Sequence, residues 1–194
     1  MKAAKNLVQS SQKNYFRSAK DLCENKLIPF DHIQPVKKAS ETLPIAITPH
    51  IAKQINSADP TDPFTRQFVP NLKENTVSGQ EMYDPIGDQV FAPVEGIVHR
   101  YPDRVLLTPI FSCPVYCRFC FRRETVGSGI LQTQKLNTAL EYIRQKKTVW
   151  EVILSGGDPL ILSLRRISTI ISKLDKIEHV KVIRIHTRVP VVDP

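Results

Sequence analysis

The sequence predicts an α/β fold: about three βα units around a parallel sheet that does not close on itself, preceded by a helical and irregular extension. Three observations point there. From about residue 96, apolar runs alternate with helix-spaced stretches, as in βαβ units with a parallel sheet. A C-x3-C-x2-C run, Cys113, Cys117 and Cys120, directly follows the first of those runs, and Ser155-Gly-Gly-Asp158 follows the second. The preceding segment, residues 59–95, is rich in Pro, Asp and Asn and has no sustained period. The expected division is therefore residues 1–95 as extension and 96–194 as the βα part.

The elements follow in order. Residues 5–27 read as a helix, with Leu7, Phe16, Ala19, Leu22 and Cys23 able to share a face. Cys23 reads there as a small buried apolar residue. Thr48 and Pro49 open a short helix over 48–56, as cap and first position. Residues before proline are steered away from helix, so Asp59-Pro-Thr-Asp-Pro-Phe64 ends it. Arg104–Ile110 reads as a buried strand. A helix over about 134–147 follows, with Leu136, Leu140 and Ile143 on one face. Trp150–Leu154 is a second strand. A helix over 161–176 turns Leu164, Ile167, Ile171 and Leu174 inward. Val180–His186 is a third strand, and no covering helix is expected after it. Loops at the carboxyl ends of parallel strands gather on one rim, where α/β barrels build their sites. Both the cysteine loop and the Ser-Gly-Gly-Asp loop belong on that rim.

Composition excludes several classes. The 194 residues carry a formal charge of +8, but the basic residues are dispersed and no run of five occurs, so a nucleic-acid backbone is not the expected partner. Anionic small molecules suit the arginines better. No stretch of eighteen apolar residues implies a membrane span, and the N-terminus has no long apolar core, so the cytoplasm is the expected compartment. Four cysteines, three of them clustered, do not suit a disulfide scaffold.

Three thiolates on a short loop can hold three irons of a four-iron, four-sulfur cluster and leave the fourth open to a small molecule. Phe111, Tyr116, Phe119 and Phe121 would wrap it in low dielectric. Zinc, which usually takes four protein ligands, and three reduced structural thiols are the alternatives. Gly156 and Gly157 would let backbone approach a ligand, and Asp158 could accept an ammonium, although a tight turn before a helix looks the same. In His99-Arg-Tyr-Pro-Asp-Arg104, Arg100 and Arg104 could clamp a phosphate or could be surface ion pairs. Arg122 could hold a carboxylate beside the open iron or be a solvated charge. His186 reads as a rim ligand, a base or a bland rim residue.

Taken together, these residues resemble the lysine 2,3-aminomutase family of radical SAM enzymes from about residue 40 onward. The carriers are Ile47-Thr-Pro-His50, the Asp59–Pro70 stretch, Asp84-Pro-Ile-Gly-Asp88, His99–Leu107, the cysteine loop with Phe121-Arg-Arg123, Ser155–Asp158 and Arg184–Val191. The resemblance implies an incomplete radical SAM (β/α) barrel, with residues 96–194 as its first half and about three of six βα units, together with a [4Fe-4S] cluster, S-adenosylmethionine (SAM) and pyridoxal 5′-phosphate (PLP). It also implies migration of an amino group from C2 to C3 of an amino acid, lysine favoured, driven by a 5′-deoxyadenosyl radical. Cys113, Cys117 and Cys120 then match the cluster ligands, and Ser155, Gly156, Gly157 and Asp158 the SAM site. Arg100 and Arg104 match the arginines on the PLP phosphate, and Arg122 the arginine on the substrate carboxylate. The family's PLP lysine lies in a C-terminal half that this chain is expected to lack, so none is assigned. Phe119 and Phe121 stand where many clostridial-type members carry His and Thr, a form similar to another bacterial branch of the family and to enzymes that isomerise lysine for attachment to elongation factor P. An electron donor such as flavodoxin or ferredoxin is implied. A C-terminal-half polypeptide or a second copy is a further expected partner. A catalytically inactive remnant, half of a split enzyme and a zinc-binding interaction module are the competing readings.

Overall fold

The computed structural model describes residues 15–59, 61–76, 78–79 and 81–194. Its centre is a four-stranded sheet in the order β1 (Ile97–Tyr101), β2 (Arg104–Ile110), β3 (Glu151–Gly156), β4 (Val182–Ile185). β2, β3 and β4 are parallel, at the places where the apolar runs put them. β1 was not expected, and it runs antiparallel to β2, pairing Tyr101 with Arg104 and Ile97 with Leu107. The two-residue turn Pro102-Asp103 joins them. The His99–Arg104 motif is thus a hairpin and not merely the entry to a strand. β1 escaped notice because Val98, His99, Arg100 and Tyr101 are only partly buried or exposed, which leaves no apolar alternation to read.

As far as Leu107 in β2 and Leu154 in β3 the strands alternate between two faces, and beyond Leu107 the register shifts. Val105, Leu107, Val152 and Leu154 are buried on one side. Against them pack the buried faces of α5 (Thr133–Gln145), with Leu136, Ala139, Leu140 and Ile143, and of α6 (Leu164–Asp175), with Ile167, Ile170 and Leu174. The expected inward position of Leu164 is corrected. It is 84% exposed because it is the first helical residue after the cap Ser163, one turn ahead of the face that begins at Ile167. The opposite sheet face, including Val98, Arg100, Arg104, Leu106, Thr108 and Ile153, lines open cavities.

A second apolar cluster lies in the N-terminal part. It joins Leu22, Val36, Ile45, Ile47, Ile51 and Phe68 to Val115 of the cysteine loop and to Val192. Four short helices build it, three of them opened by a side-chain cap. α1 (Ala19–Glu24) opens with a capping box between Ser18 and Asp21. α2 (Ile33–Ala39) follows a 3-10 turn. α3 (Pro49–Ala52) is capped by Thr48 with Pro49 first, and α4 (Pro63–Phe68) is capped by Asp62 with Pro63 first. The long helix expected over 5–27 is cut short where it is described: Phe16 pairs as an isolated bridge with Ile47, and the helix begins only at Ala19. Residues 5–14 of that expectation lie outside the described residues. After β4 a helical turn, α7 (Val189–Val192), does follow. It packs into the N-terminal cluster and not onto the sheet, and the Val192 carbonyl accepts a hydrogen bond from Thr48 Oγ1.

The sheet carries one buried charge at its lower end. Glu151, 1% exposed, lies between Arg104 of β2, Nη1 to Oε2 3.3 Å, and Arg184 of β4, Nη2 to Oε1 2.6 Å. A lone buried carboxylate would be costly, and the two guanidinium groups offset it. Substituting Glu151→Gln is expected to cost about 2 kcal/mol in a urea melt. That is less than the roughly 3–5 kcal/mol of a fully buried pair, because both arginines reach solvent and can rehydrate. An unchanged midpoint would show that the three charges contribute nothing net.

Candidate metal and cofactor site

The cysteine loop leaves the carboxyl end of β2 at Ile110, and the Ser155–Asp158 loop leaves the neighbouring end of β3. Two backbone hydrogen bonds lash their roots together: Gly157 N–H to the Ile110 carbonyl, 2.7 Å, and Asp158 N–H to the Ser112 carbonyl, 2.9 Å. Gly156 stands at φ +97°, in the region that favours glycine, and a Cβ on it would meet the Ile110 carbonyl oxygen at 2.7 Å. A Cβ on Gly157 would lie 2.2 Å from the Ser112 carbonyl oxygen. Both glycines therefore answer first to the close approach of two loops.

Cys113, Cys117 and Cys120 are free and half-buried. With Phe119, Phe121 and Arg122 they line a cavity of about 540 Å³ whose other wall is Ser155–Asp158 and Ile185–Arg188. Of the four aromatic residues expected around the sulfurs, Phe119 and Phe121 line this cavity. Phe111 packs against the sheet core, and the Tyr116 hydroxyl faces Gly127, so the expected four-sided wrap has two sides. Burial pushes the Cys113 thiol up to about 12, with the Asp158 carboxylate and the neighbouring cysteines adding to it. Burial also raises Cys117, against the opposing pull of Arg188, whose Nη1 lies 2.7 Å from the Cys117 sulfur. Thiols in this state become thiolates when a cation takes the proton's place.

Among the described residues, no three His, Cys, Asp or Glu side chains draw close enough to share one metal ion. A mononuclear zinc site requires that convergence. A cluster makes a different demand, since each thiolate binds its own iron and the sulfurs need only face a common space. Three unpaired thiols on one cavity fit the second demand.

Asp158 is only 4% exposed and already well bonded. Its Oδ1 accepts from Leu160 N–H, 3.1 Å, and from the Thr187 hydroxyl, 2.7 Å, while Oδ2 accepts from Arg188 N–H, 2.7 Å. It ties the loop after β3 to the loop after β4. His186 lies on the cavity wall, and its N–H continues the β3–β4 pairing to the Leu154 carbonyl.

The three singled-out arginines share a smaller cavity of about 230 Å³ on the uncovered sheet face. All are already partnered. Arg122 meets Asp88 through Nε, 2.9 Å, and Nη2, 2.8 Å. Arg100 lies 3.7 Å from the same carboxylate, over the Phe91 ring, and donates to the Ile86 carbonyl. Arg104 forks onto Asp103 and reaches Glu151. The Arg104 fork, then the Trp150 indole, hold the Asp103 carboxyl well below the usual carboxylate range. Arg122 also borders the 540 Å³ cavity and a third one of about 480 Å³, so it stands where all three meet.

No protein-family model matches the chain. Curated proteins do. The L-lysine 2,3-aminomutase of Acetoanaerobium sticklandii is 40% identical over 173 residues, 87% of this chain and 42% of that protein. That of Fusobacterium nucleatum is 38% identical over 184 residues, 94% and 43%. That of Methanococcus maripaludis is 40% identical over 180 residues, 90% and 42%. This chain is a relative of the L-lysine 2,3-aminomutases. It spans less than half the length of the aminomutases it matches.

Sequence reasoning missed four residues in or behind the walls of these cavities. Asp88 was visible only as part of a motif, and its grip on Arg122 spans 34 positions. Thr187 and Arg188 were passed over for His186, though it is they that meet Asp158 and Cys117. Arg118, inside the cysteine run itself, turns away from the cavity and is buried. A guanidinium between two ligand-spaced cysteines was the available signal.

Proposed function

We propose that this chain forms the cluster- and SAM-binding part of a lysine 2,3-aminomutase-like isomerase, built as a partial radical SAM barrel. Cys113, Cys117 and Cys120 would each bind one iron of a [4Fe-4S] cluster, leaving one iron open. The observation that carries the reading is that all three thiols and the Ser155–Asp158 loop border one cavity at the carboxyl ends of adjacent parallel strands. The aminomutase relatives raise the same reading independently.

Bound together, the cluster, SAM and PLP would supply hydrogen-atom abstraction and a carrier for an amino group moving from C2 to C3 of an amino acid, lysine favoured. The chain's own residues have narrower tasks. Ser155, Gly156 and Gly157 present backbone to SAM at the edge of β3, while Asp158 holds the neighbouring wall in place and offers its remaining lone pairs to an ammonium. Arg100 and Arg104 would hold the PLP phosphate, and Arg122 the substrate carboxylate by a two-pronged contact. In each case an incoming anion would share or replace Asp88 or Asp103, so the arginines remain charge-matched before and after binding. Phe119 and Phe121 would flank the sulfurs as the apolar, solvent-facing rim of the cavity. A reducing compartment such as the cytoplasm, and a low-potential donor of the flavodoxin or ferredoxin class, suit this chemistry.

The test is anaerobic reconstitution with iron and sulfide. Four irons per chain are expected, with a reduced-cluster EPR signal that changes shape on adding SAM. Cys120→Ala should lose that signal. Zinc without iron in the purified chain, or a signal indifferent to SAM, would overturn the proposal.

A further inference from the structure

We propose that Arg118 is the positioning residue that fixes how Cys117 and Cys120 present their sulfurs to the cluster, through a buried anchor to Glu74 and to the Leu43 and Pro44 carbonyls. This rests on the cluster reading above. Arg118 lies between the two cysteines, yet it does not border their cavity, whereas Cys117, Phe119 and Cys120 do. Among the described residues it is the buried arginine, its side chain 5% exposed. Every nitrogen of the guanidinium is used. Nε reaches both Glu74 oxygens, at 3.1 and 3.2 Å, and Nη2 reaches Oε2 at 2.6 Å. Nη1 donates to the Leu43 and Pro44 carbonyls, both at 3.0 Å.

The anchor on the far side is itself fixed. Glu74 sits in the 3-10 turn Leu72–Asn75, and its Oε1 accepts from Asn71 N–H at 2.8 Å in a capping box. The backbone of the cysteine loop follows the same seam: Tyr116 N–H donates to the Ala46 carbonyl, 3.0 Å, and Arg118 N–H to the Gln67 carbonyl, 2.8 Å.

The cysteine loop has little regular structure of its own. Between Cys117 and Cys120 the only ladder-like bond is Cys120 N–H to the Cys117 carbonyl, 3.0 Å. The Cys117–Arg118 peptide is held at both its N–H and its carbonyl, but the Arg118–Phe119 peptide that leads on to Cys120 has no backbone hydrogen bond among the described residues and would otherwise be free to rotate and to swing that sulfur. An apolar residue could fill the same volume, and burying an arginine is expensive unless its geometry is needed. A planar fork with five donors sets direction as well as distance, which a single ammonium cannot do. The Glu74 carboxylate faces both Arg118 and, at 3.6 Å, Arg123, so the anchor is a shared ion pair, and the role assigned to Arg118 is placement of the loop.

The test compares anaerobically reconstituted wild type, Arg118→Met, Arg118→Lys and Glu74→Gln. The readouts are iron retention against a chelator, EPR line shape of the reduced cluster, its response to SAM, and a thermal melt. Arg118→Met is expected to hold iron about tenfold or more weakly, in the range seen when a ligand's supporting partner is lost, and to show a broadened signal with a reduced SAM response. Arg118→Lys should recover stability without recovering the line shape. Glu74→Gln retains an acceptor and the packing, and it serves if Arg118→Met does not fold; an intermediate line shape is expected. Wild-type iron retention, line shape and SAM response in Arg118→Lys and Glu74→Gln would overturn the positioning role. A wild-type chain that takes up no cluster would instead bring down the cluster reading, a result visible before any variant is made.

Discussion

Replacing Gly157 with alanine is expected to destabilise the chain by about 3 kcal/mol or more and to abolish cluster uptake. The added Cβ would lie 2.2 Å from the Ser112 carbonyl oxygen, 2.7 Å from the Ser112 nitrogen and 2.8 Å from the Phe111 carbonyl carbon. All three are backbone atoms, so no rotamer change relieves the clash. The loops must separate, and the bonds from Gly157 N–H to Ile110 and from Asp158 N–H to Ser112 go with them. Overpacking alone typically costs roughly 1–3 kcal/mol, and losing two partly buried hydrogen bonds adds about 1 kcal/mol each. Cys113 directly follows Ser112, so the displacement falls on a proposed iron ligand. Gly79→Ala is the control: a Cβ there meets nothing within 4 Å, and a change within about 0.5 kcal/mol is expected. Urea midpoints and iron content measure both. A Gly157→Ala chain with wild-type stability and full iron would mean that the two loops are not held at this distance.

The parallel strands were legible because helices bury one face of the sheet and β2 carries further buried residues at its carboxyl end, which leaves short, dense apolar runs such as Val105-Leu-Leu-Thr-Pro-Ile110. β1 was not legible because only Ile97 is buried in the core, and Arg100 on the other face borders a cavity. The helix face of α5 was read from its spacing, whereas α6 was misjudged by one turn at Leu164 because a helix start looks like a helix middle when the cap is missed. At the site, spacing along the chain found the cysteines and the glycines. It could not find what those residues touch. Arg118 with Glu74, Arg122 with Asp88, and Asp158 with Thr187 are separated by 44, 34 and 29 positions, and no periodic signal links them. Gly156 and Gly157 were read as making room for a ligand, and the nearer reason proved to be the chain itself. Local pattern reports secondary structure and residue chemistry, while the pairing of buried polar groups is decided by topology.

Asp158→Asn is expected to lower the stability of the cofactor-free chain by about 2 kcal/mol, a result that separates two roles for this residue. Three donors converge on its carboxylate: Leu160 N–H and the Thr187 hydroxyl on Oδ1, and Arg188 N–H on Oδ2. An amide has one acceptor oxygen and one NH₂. With the oxygen toward Leu160 and Thr187, the NH₂ faces the Arg188 N–H, donor against donor. Flipped, it faces the Leu160 N–H, and the Thr187 hydroxyl, which already accepts from Val189 N–H at 3.1 Å, must turn. Either way a buried donor loses its partner, at roughly 1–3 kcal/mol. Asp158→Ala strands all three and should cost more. The loop after β4 then loosens, and with it the Arg188 guanidinium at the Cys117 sulfur. Were Asp158 solely a holder of the SAM ammonium, Asp158→Asn would leave the cofactor-free melt unchanged and weaken only the SAM-induced change in the EPR signal. Were it solely a tie between loops, Thr187→Val, which removes one of its donors without touching the carboxylate, would reproduce part of the same instability. Equal melting of wild type and Asp158→Asn would remove the tie and leave the ammonium as the reason an acid stands at this position.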